Sequence, residues 1–139
     1  ETFTDEEELL YWVGTSNEVF ALVHQYIGVE DFTNDHNKAF YEAITGIVEG
    51  GGHLSDTVLE ESLDKTLWDT FGKWSVLIEH ELQEELLHGL IKSVRLKSLR
   101  HQYKEHSRLA DQLSRANDPR FIEELRICQE LQALIQQWS

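Results

Sequence analysis

The stretch that decides the fold is IEHELQEELLHGLIKSVRLKSLRHQYKEHSRLADQLSRANDP, residues 78–119. From Ile78 to Arg115 it contains no proline and a single glycine, Gly89, and it is rich in residues that favour helix. At 1.5 Å per residue, an unbroken helix over these residues would be about 57 Å long. The sequence therefore predicts one helix too long for a small bundle to cover completely.

The end of the chain predicts a second helix that folds back on the first. Asn117-Asp118-Pro119 ends the long helix, with Asp118 as the predicted N-cap and Pro119 as the first residue of a last helix that ends near Trp138. So short a turn makes residues 96–138 an antiparallel helical hairpin that projects from the rest. Its first helix carries a coiled-coil-like pattern at three- and four-residue spacing. The members of that pattern are Leu96, Leu99, Tyr103, His106, Ala110 and Leu113.

The residues before this stretch predict five short helices. Thr4 with Glu7 is a capping-box signal, Asn34 or Asp35 can cap a third helix, and Ser55 or Asp56 can open a fourth. Their wide apolar faces can be buried only against one another. We therefore predict an all-α fold, in which a helical bundle over residues 1–77 is joined by a long helix to a C-terminal hairpin within residues 78–139.

Composition narrows the classes of function. The 139 residues include 26 acidic and 12 basic ones, for a formal net charge of −14, which argues against nucleic acid as a partner. Residues 1–75 hold sixteen acidic and three basic residues, whereas residues 76–139 hold ten and nine. The single cysteine, Cys128, excludes an intrachain disulfide, and no apolar run approaches the ~20 residues of a membrane span. We expect a cytoplasmic protein without a membrane partner, cut from a longer polypeptide.

No motif of catalysis or of metal binding is complete. Gly50-Gly51-Gly52 is not followed by the Lys and Ser/Thr of a phosphate loop, and it is interpreted as a helix stop. Glu85 and His88 have the Glu-x-x-His spacing of di-iron bundles, but the second pair is missing. His80 lacks the second histidine of a zinc protease. We therefore predict no catalytic residue, no cofactor and no metal ligand.

A basic stripe lies on one face of the predicted long helix. We interpret it first as an ordinary solvated face, because no aromatic residues interleave it for base stacking. The alternative is a contact with an acidic protein partner or an incidental contact with a nucleic-acid backbone. The stripe consists of Lys97, Arg100, Lys104 and Arg108, with His101 beside them.

The last helix is apolar over an arc of about 180°, wider than one antiparallel neighbour can cover. One side can complete the hairpin: Phe121, Leu125, Cys128 and Ile135. The other side is then left partly exposed, as protein-binding surfaces are: Ile127, Leu131, Leu134 and Trp138. The alternative is that the hairpin folds back on the bundle and buries both sides.

Two stretches make the chain resemble the C-terminal helicase-binding domain of bacterial replicative DNA primases. The first is Asp31-Phe32-Thr33-Asn34-Asp35-His36-Asn37-Lys38-Ala39-Phe40-Tyr41-Glu42-Ala43-Ile44, which is similar to a helix of that domain and of the related N-terminal domain of the replicative helicase. The second runs from Glu84-Glu85-Leu86-Leu87 through Arg95-Leu96-Lys97-Ser98-Leu99 and Asn117-Asp118-Pro119 to Glu130-Leu131-Gln132-Ala133-Leu134. The resemblance covers essentially the whole chain.

The resemblance implies a non-catalytic module, since the zinc-binding and RNA-synthesising parts of a primase lie upstream of it. The hairpin would dock on the N-terminal collar of the hexameric helicase and recruit primase to the replication fork, and the bundle would modulate helicase activity. Docking would use Ile127, Leu131, Leu134 and Trp138. The family's domain also receives the acidic tail of single-stranded DNA-binding protein on a basic pocket, for which residues 1–75 offer only Lys38, Lys65 and Lys73.

Two alternatives stay open. One is the N-terminal domain of the replicative helicase, which shares the bundle-plus-hairpin plan, although a chain that ends at Ser139 directly after the hairpin fits a protein C-terminus better. The other is a small helical metal-binding protein.

Overall fold

A computed structural model describes residues 2–139 as an all-α protein, with no strand among these residues. The all-α class predicted from the sequence is confirmed. A single 3-10 turn, Val29–Asp31, lies between the second and third helices. Residues 2–139 form seven α-helices: α1 (Asp5–Thr15), α2 (Asn17–His24), α3 (Asp35–Glu49), α4 (Asp56–Ser62), α5 (Lys65–Leu77), α6 (Glu84–Arg115) and α7 (Phe121–Trp138).

Three predicted capping residues, Thr4, Asn34 and Ser55, begin their helices as expected. The Thr4 hydroxyl accepts a hydrogen bond from the backbone N–H of Glu7, whose carboxylate accepts one from the backbone N–H of Thr4. Asn34 caps α3, and Ser55 caps α4. Each cap satisfies an N–H group that the first turn of a helix leaves without a partner.

The helices form two compact units, one ending at Val94 and the other comprising Arg95–Ser139. Aromatic rings occupy the centre of the first unit, where the Phe40 and Trp74 rings pack in a T-shaped arrangement with their centroids 5.1 Å apart. Gly14 lies against this cluster, and a Cβ added there would stand 2.8 Å from the Phe71 ring. A glycine at this position therefore lets α1 approach α5 closely.

The long helix begins six residues later than predicted. Residues 78–83 are not helical, and α6 has 32 residues instead of about 38. Ile78 is in an extended conformation and is buried, with 4% of its surface exposed, so an anchored apolar side chain ends α5 and turns the chain. Helix propensity alone gave no sign of this break. The predicted domain boundary lay at residue 77, and the first compact unit continues beyond it to Val94.

The turn after α6 also differs from the prediction. Asn117 has a positive φ of 54°, and the Asp118 N–H donates to the Leu113 carbonyl at 2.9 Å, which closes α6 in a Schellman-type cap. Asp118 does not cap α7 directly, because its carboxylate accepts from the backbone N–H of Arg120 at 2.9 Å and forms a turn. Helix α7 therefore begins at Phe121 and not at Pro119.

Candidate protein-binding surface of the second unit

Within the second unit, side-chain hydrogen bonds join α6 to α7. His106 Nδ1 lies 2.5 Å from a carboxylate oxygen of Glu124, and the Gln132 amide donates to the Tyr103 hydroxyl at 3.1 Å. Tyr103, the earlier of the two α6 residues, therefore bonds to Gln132, the later of the two α7 residues. The two helices run antiparallel where these bonds form.

Burial on α6 follows the spacing seen in the sequence. Leu96, Leu99 and Ala110 are buried, and Tyr103, His106 and Leu113 are half-buried. These six side chains lie on one face of the helix, as the three- and four-residue spacing predicts.

On α7 the structure corrects the assignment of two residues. Leu131, predicted to be partly exposed, is buried with 6% of its surface exposed, whereas Leu125, predicted to face α6, is 46% exposed. The buried line includes Glu124, because His106 supplies a partner for its carboxylate. The sequence prediction considered only apolar residues and therefore omitted Glu124. The predicted contact line was displaced around the helix axis towards Leu125 as a result. We call the resulting line the α7 seam: Phe121, Glu124, Cys128, Leu131 and Ile135, all of which are buried or half-buried.

The remaining residues of the predicted docking stripe lie at an intermediate level of burial. Ile127, Leu134 and Trp138 are each half-buried. Their role in binding a partner stays a prediction. The large apolar side chains that the second unit exposes most are Ile122 at 65%, Leu125 at 46% and Leu109 at 39%.

Cys128 is a packed residue of the α7 seam. Burial raises the pKa of its thiol, and the negative charge of Glu124 adds to the effect. Since the thiolate is the reactive form of cysteine, the thiol is poorly suited to act as a nucleophile or a metal ligand.

The basic stripe lies on the surface as predicted. Lys97, Arg100, Lys104 and Arg108 are all exposed. Arg108 pairs with Glu105 at 2.5 Å, whereas the other three form no ion pair within residues 2–139. The stripe therefore presents three cationic groups for a partner.

Charge is divided unequally between the two units. Residues 1–94 contain twenty acidic and four basic residues, whereas residues 95–139 contain six and eight. The excess of acidic residues in the first unit is larger than the sequence alone suggested, because the structural boundary adds the acidic residues of the 78–94 segment to that unit.

The acidic run Asp5–Glu8 has a structural role that the sequence did not reveal. Glu6 is buried and accepts hydrogen bonds at 2.9 Å from both the backbone N–H and the hydroxyl of Thr33. Glu8, also buried, lies 2.8 Å from Nε2 of His80. The run holds distant parts of the first unit together, since buried carboxylates are stable only when they are hydrogen-bonded.

The residues weighed as metal ligands do not converge. His88 lies 4.0 Å from Glu84, and both side chains are largely exposed. His80 instead bonds to Glu8. Among residues 2–139, no group of three or more His, Cys, Asp or Glu side chains is placed to hold a metal ion.

Comparison of the chain with protein-family models and with curated proteins finds no match. None of the helices within residues 2–139 has both the length and the apolar character required to cross a bilayer.

Proposed function

We propose that this chain is the helicase-binding module of a bacterial replicative primase, acting in the cytoplasm. In this proposal the second unit binds the N-terminal collar of the hexameric helicase and recruits primase to the replication fork, while the first unit modulates helicase activity. The observation that carries the proposal is the apolar face of α7 formed by Ile127, Leu134 and Trp138, which remains only half-buried although α7 already has α6 as a neighbour.

The composition of this surface suits a protein partner. At 100° per residue, Leu134 lies about 180° from Leu125, so the exposed Ile122 and Leu125 belong to a different face of α7 from the half-buried Leu134 and Trp138, which form the proposed docking face. Tryptophan is enriched among the residues that contribute most to binding energy, and burying large apolar side chains is the main favourable term in association.

The basic stripe adds a preference for an acidic partner surface. Lys97, Arg100 and Lys104 are exposed and form no ion pair within residues 2–139. Such groups steer association and select the orientation of a partner more than they raise affinity. The proposal therefore predicts binding that weakens as salt rises.

Light scattering of the chain mixed with the replicative hexameric helicase of the same cell tests the proposal. Leu134→Asp and Trp138→Ala should each weaken binding by at least about tenfold, because they alter side chains that a partner would bury. Gln137→Asp is the matched control, since it adds the same charge as Leu134→Asp at an exposed position of α7 and should leave binding unchanged.

Circular dichroism separates loss of binding from loss of fold. The helical signal of Leu134→Asp and Trp138→Ala should match that of the parent chain. No complex at tens of micromolar with the parent chain would overturn the proposal. A fall in helicity in both variants would mean that these residues belong to the fold, and the docking surface would then be wrong.

A further inference from the structure

A cleft of about 310 Å³ opens in the first unit between α1, the start of α4, and α5. Its apolar wall is formed by three aromatic side chains, Tyr11, Trp68 and Phe71. Phe71 is the middle ring: its centroid lies 5.2 Å from that of the Tyr11 ring and 6.1 Å from that of the Trp68 ring. A volume of this size is at the lower end of the range for small-ligand pockets, which are about 300–1,000 Å³.

Two hydroxyl groups of the cleft, those of Thr15 and Ser75, are restricted to accepting hydrogen bonds, whereas the Ser55 hydroxyl accepts from the backbone N–H of Val58 and keeps its own hydrogen. The Thr15 hydroxyl donates its hydrogen to the Trp12 carbonyl, and the Ser75 hydroxyl donates to the Gly72 carbonyl, each at 2.6 Å. Their oxygens therefore keep only lone pairs for a ligand. Asp56 adds a carboxylate, and no Lys, Arg or His lines the cleft.

The charge of the surroundings favours the same class of ligand. Asp56 is exposed at the cleft and forms no ion pair within residues 2–139. Asp56 and Tyr11 line the same cleft, and burial raises the pKa of Tyr11, with the charge of Asp56 as the smaller effect. The first unit as a whole carries twenty acidic and four basic residues.

We propose that this cleft binds an organic cation of the quaternary-ammonium or guanidinium type. The faces of aromatic rings attract such cations through their quadrupoles, and a carboxylate at the edge supplies the opposite charge. The apolar rim of a quaternary ammonium group would also be removed from water against the rings. The site lies outside the second unit, so it is independent of the proposed docking on a helicase.

Choline is the probe, titrated into the ¹⁵N-labelled full chain at constant ionic strength. The reporter is the indole N–H signal of Trp68, assigned by its loss in Trp68→Phe. We expect a saturable shift of this signal with choline. The uncharged isostere 3,3-dimethyl-1-butanol, which has the same shape, should bind at least several-fold more weakly. N-acetyl-arginine amide, titrated in parallel, shows whether guanidinium binds as well.

Three variants test the location of the site. Asp56→Asn should weaken choline binding by about three- to tenfold, since it removes the charge and keeps the shape. Glu60→Gln removes a charge from an exposed position of the same helix outside the cleft and should change nothing. Gly72→Leu should abolish binding, because a Cβ on Gly72 meets no atom within 4 Å and the side chain can fill the cleft. Gly72→Ala should weaken binding and serves if the leucine variant does not fold.

Absence of a saturable shift with both cations would overturn the proposal. Equal binding of choline and its uncharged isostere would show an apolar pocket without preference for a cation, which also contradicts it. Binding that survives in the Gly72 variants would place the cation elsewhere. A failure of helicase binding in the scattering experiment would leave this result unaffected.

Discussion

Tyr41 shows how a single buried polar atom contributes to the first unit. Its side chain is 2% exposed, and its hydroxyl donates to the Ile27 carbonyl at 3.1 Å. The hydroxyl has one hydrogen, so the 2.6 Å contact with His24 requires Nδ1 of His24 to donate. Burial raises the pKa of Tyr41, and the negative charges of Asp31 and Glu30 raise it further.

This environment predicts a loss of stability at alkaline pH. In the unfolded chain a tyrosine ionises near pH 10, whereas the folded chain keeps Tyr41 neutral to higher pH. The stabilising contribution of Tyr41 is therefore complete below about pH 10 and falls as pH rises towards its pKa in the folded state. Tyr41→Phe should cost about 1–2 kcal/mol of unfolding free energy at pH 8, and the difference should narrow by pH 10.5.

Urea unfolding at pH 8, 9.5 and 10.5, followed by tryptophan fluorescence, measures this difference. Tyr26→Phe is the control, because Tyr26 is 47% exposed whereas Tyr41 is 2% exposed. A difference between Tyr41→Phe and the parent chain that stays constant with pH would contradict the expectation.

At the scale of the helix, two helical glycines have opposite surroundings. Gly46 lies in α3 with no atom within 4 Å of an added Cβ. Gly14 lies in α1, where the same Cβ would meet Phe71 at 2.8 Å and Phe40 at 3.4 Å. Packing, and not helix propensity, explains the glycine in α1.

Alanine at these two positions should change stability in opposite directions. Gly46→Ala should raise the unfolding free energy by about 0.5–1 kcal/mol, since alanine loses less backbone entropy in a helix. Gly14→Ala should lower it by about 1–3 kcal/mol, because the methyl group displaces packed rings. Thermal and urea unfolding of both variants measure the effect, and stabilisation by Gly14→Ala would show that the aromatic cluster yields easily.

At the scale of the whole molecule, the excess of acidic residues sets the response to salt. Residues 1–94 hold twenty acidic and four basic residues, and like charges repel in the compact state. Glu60 and Glu61 are exposed near the C-terminal end of α4, where the helix dipole also disfavours negative charge.

We therefore expect sodium chloride to raise the melting temperature between 0.05 and 0.5 M, because it screens this repulsion. The double variant Glu60→Gln/Glu61→Gln should melt higher than the parent chain at low salt and gain less from added salt. Glu130→Gln is the comparison in the second unit, where Glu130 pairs with Arg126, and it should bring no gain. An equal salt effect in all three proteins would rule out repulsion as the cause.

Much of the fold could be predicted from the sequence because its signals are local. Thr4, Asn34 and Ser55 cap helices through contacts three residues away, and the spacing from Leu96 to Leu113 marks one helix face. The break at Ile78 could not be predicted in this way. It depends on burial of that side chain in a core to which distant residues contribute.

The two candidate surfaces also differ in how far the sequence could predict them. The basic stripe could be placed from helical spacing, since exposed residues on one helix face need no further information. The contact line of α7 could not, because Glu124 enters it only through its bond to His106, 18 residues earlier. For the same reason Leu131 and Leu125 were assigned to the wrong sides.

The sequence by itself determined the all-α class, most helix starts and the uneven distribution of charge, because these follow from interactions within a few residues or from composition alone. Tertiary structure alone decided how the acidic run Asp5–Glu8 is used, where α6 begins and which rings line the cleft beside Asp56. These features arise where residues far apart in sequence meet and exclude water from one another. Their energies depend on contacts between residues far apart in sequence, and such contacts produce no periodic pattern of residue types along the chain.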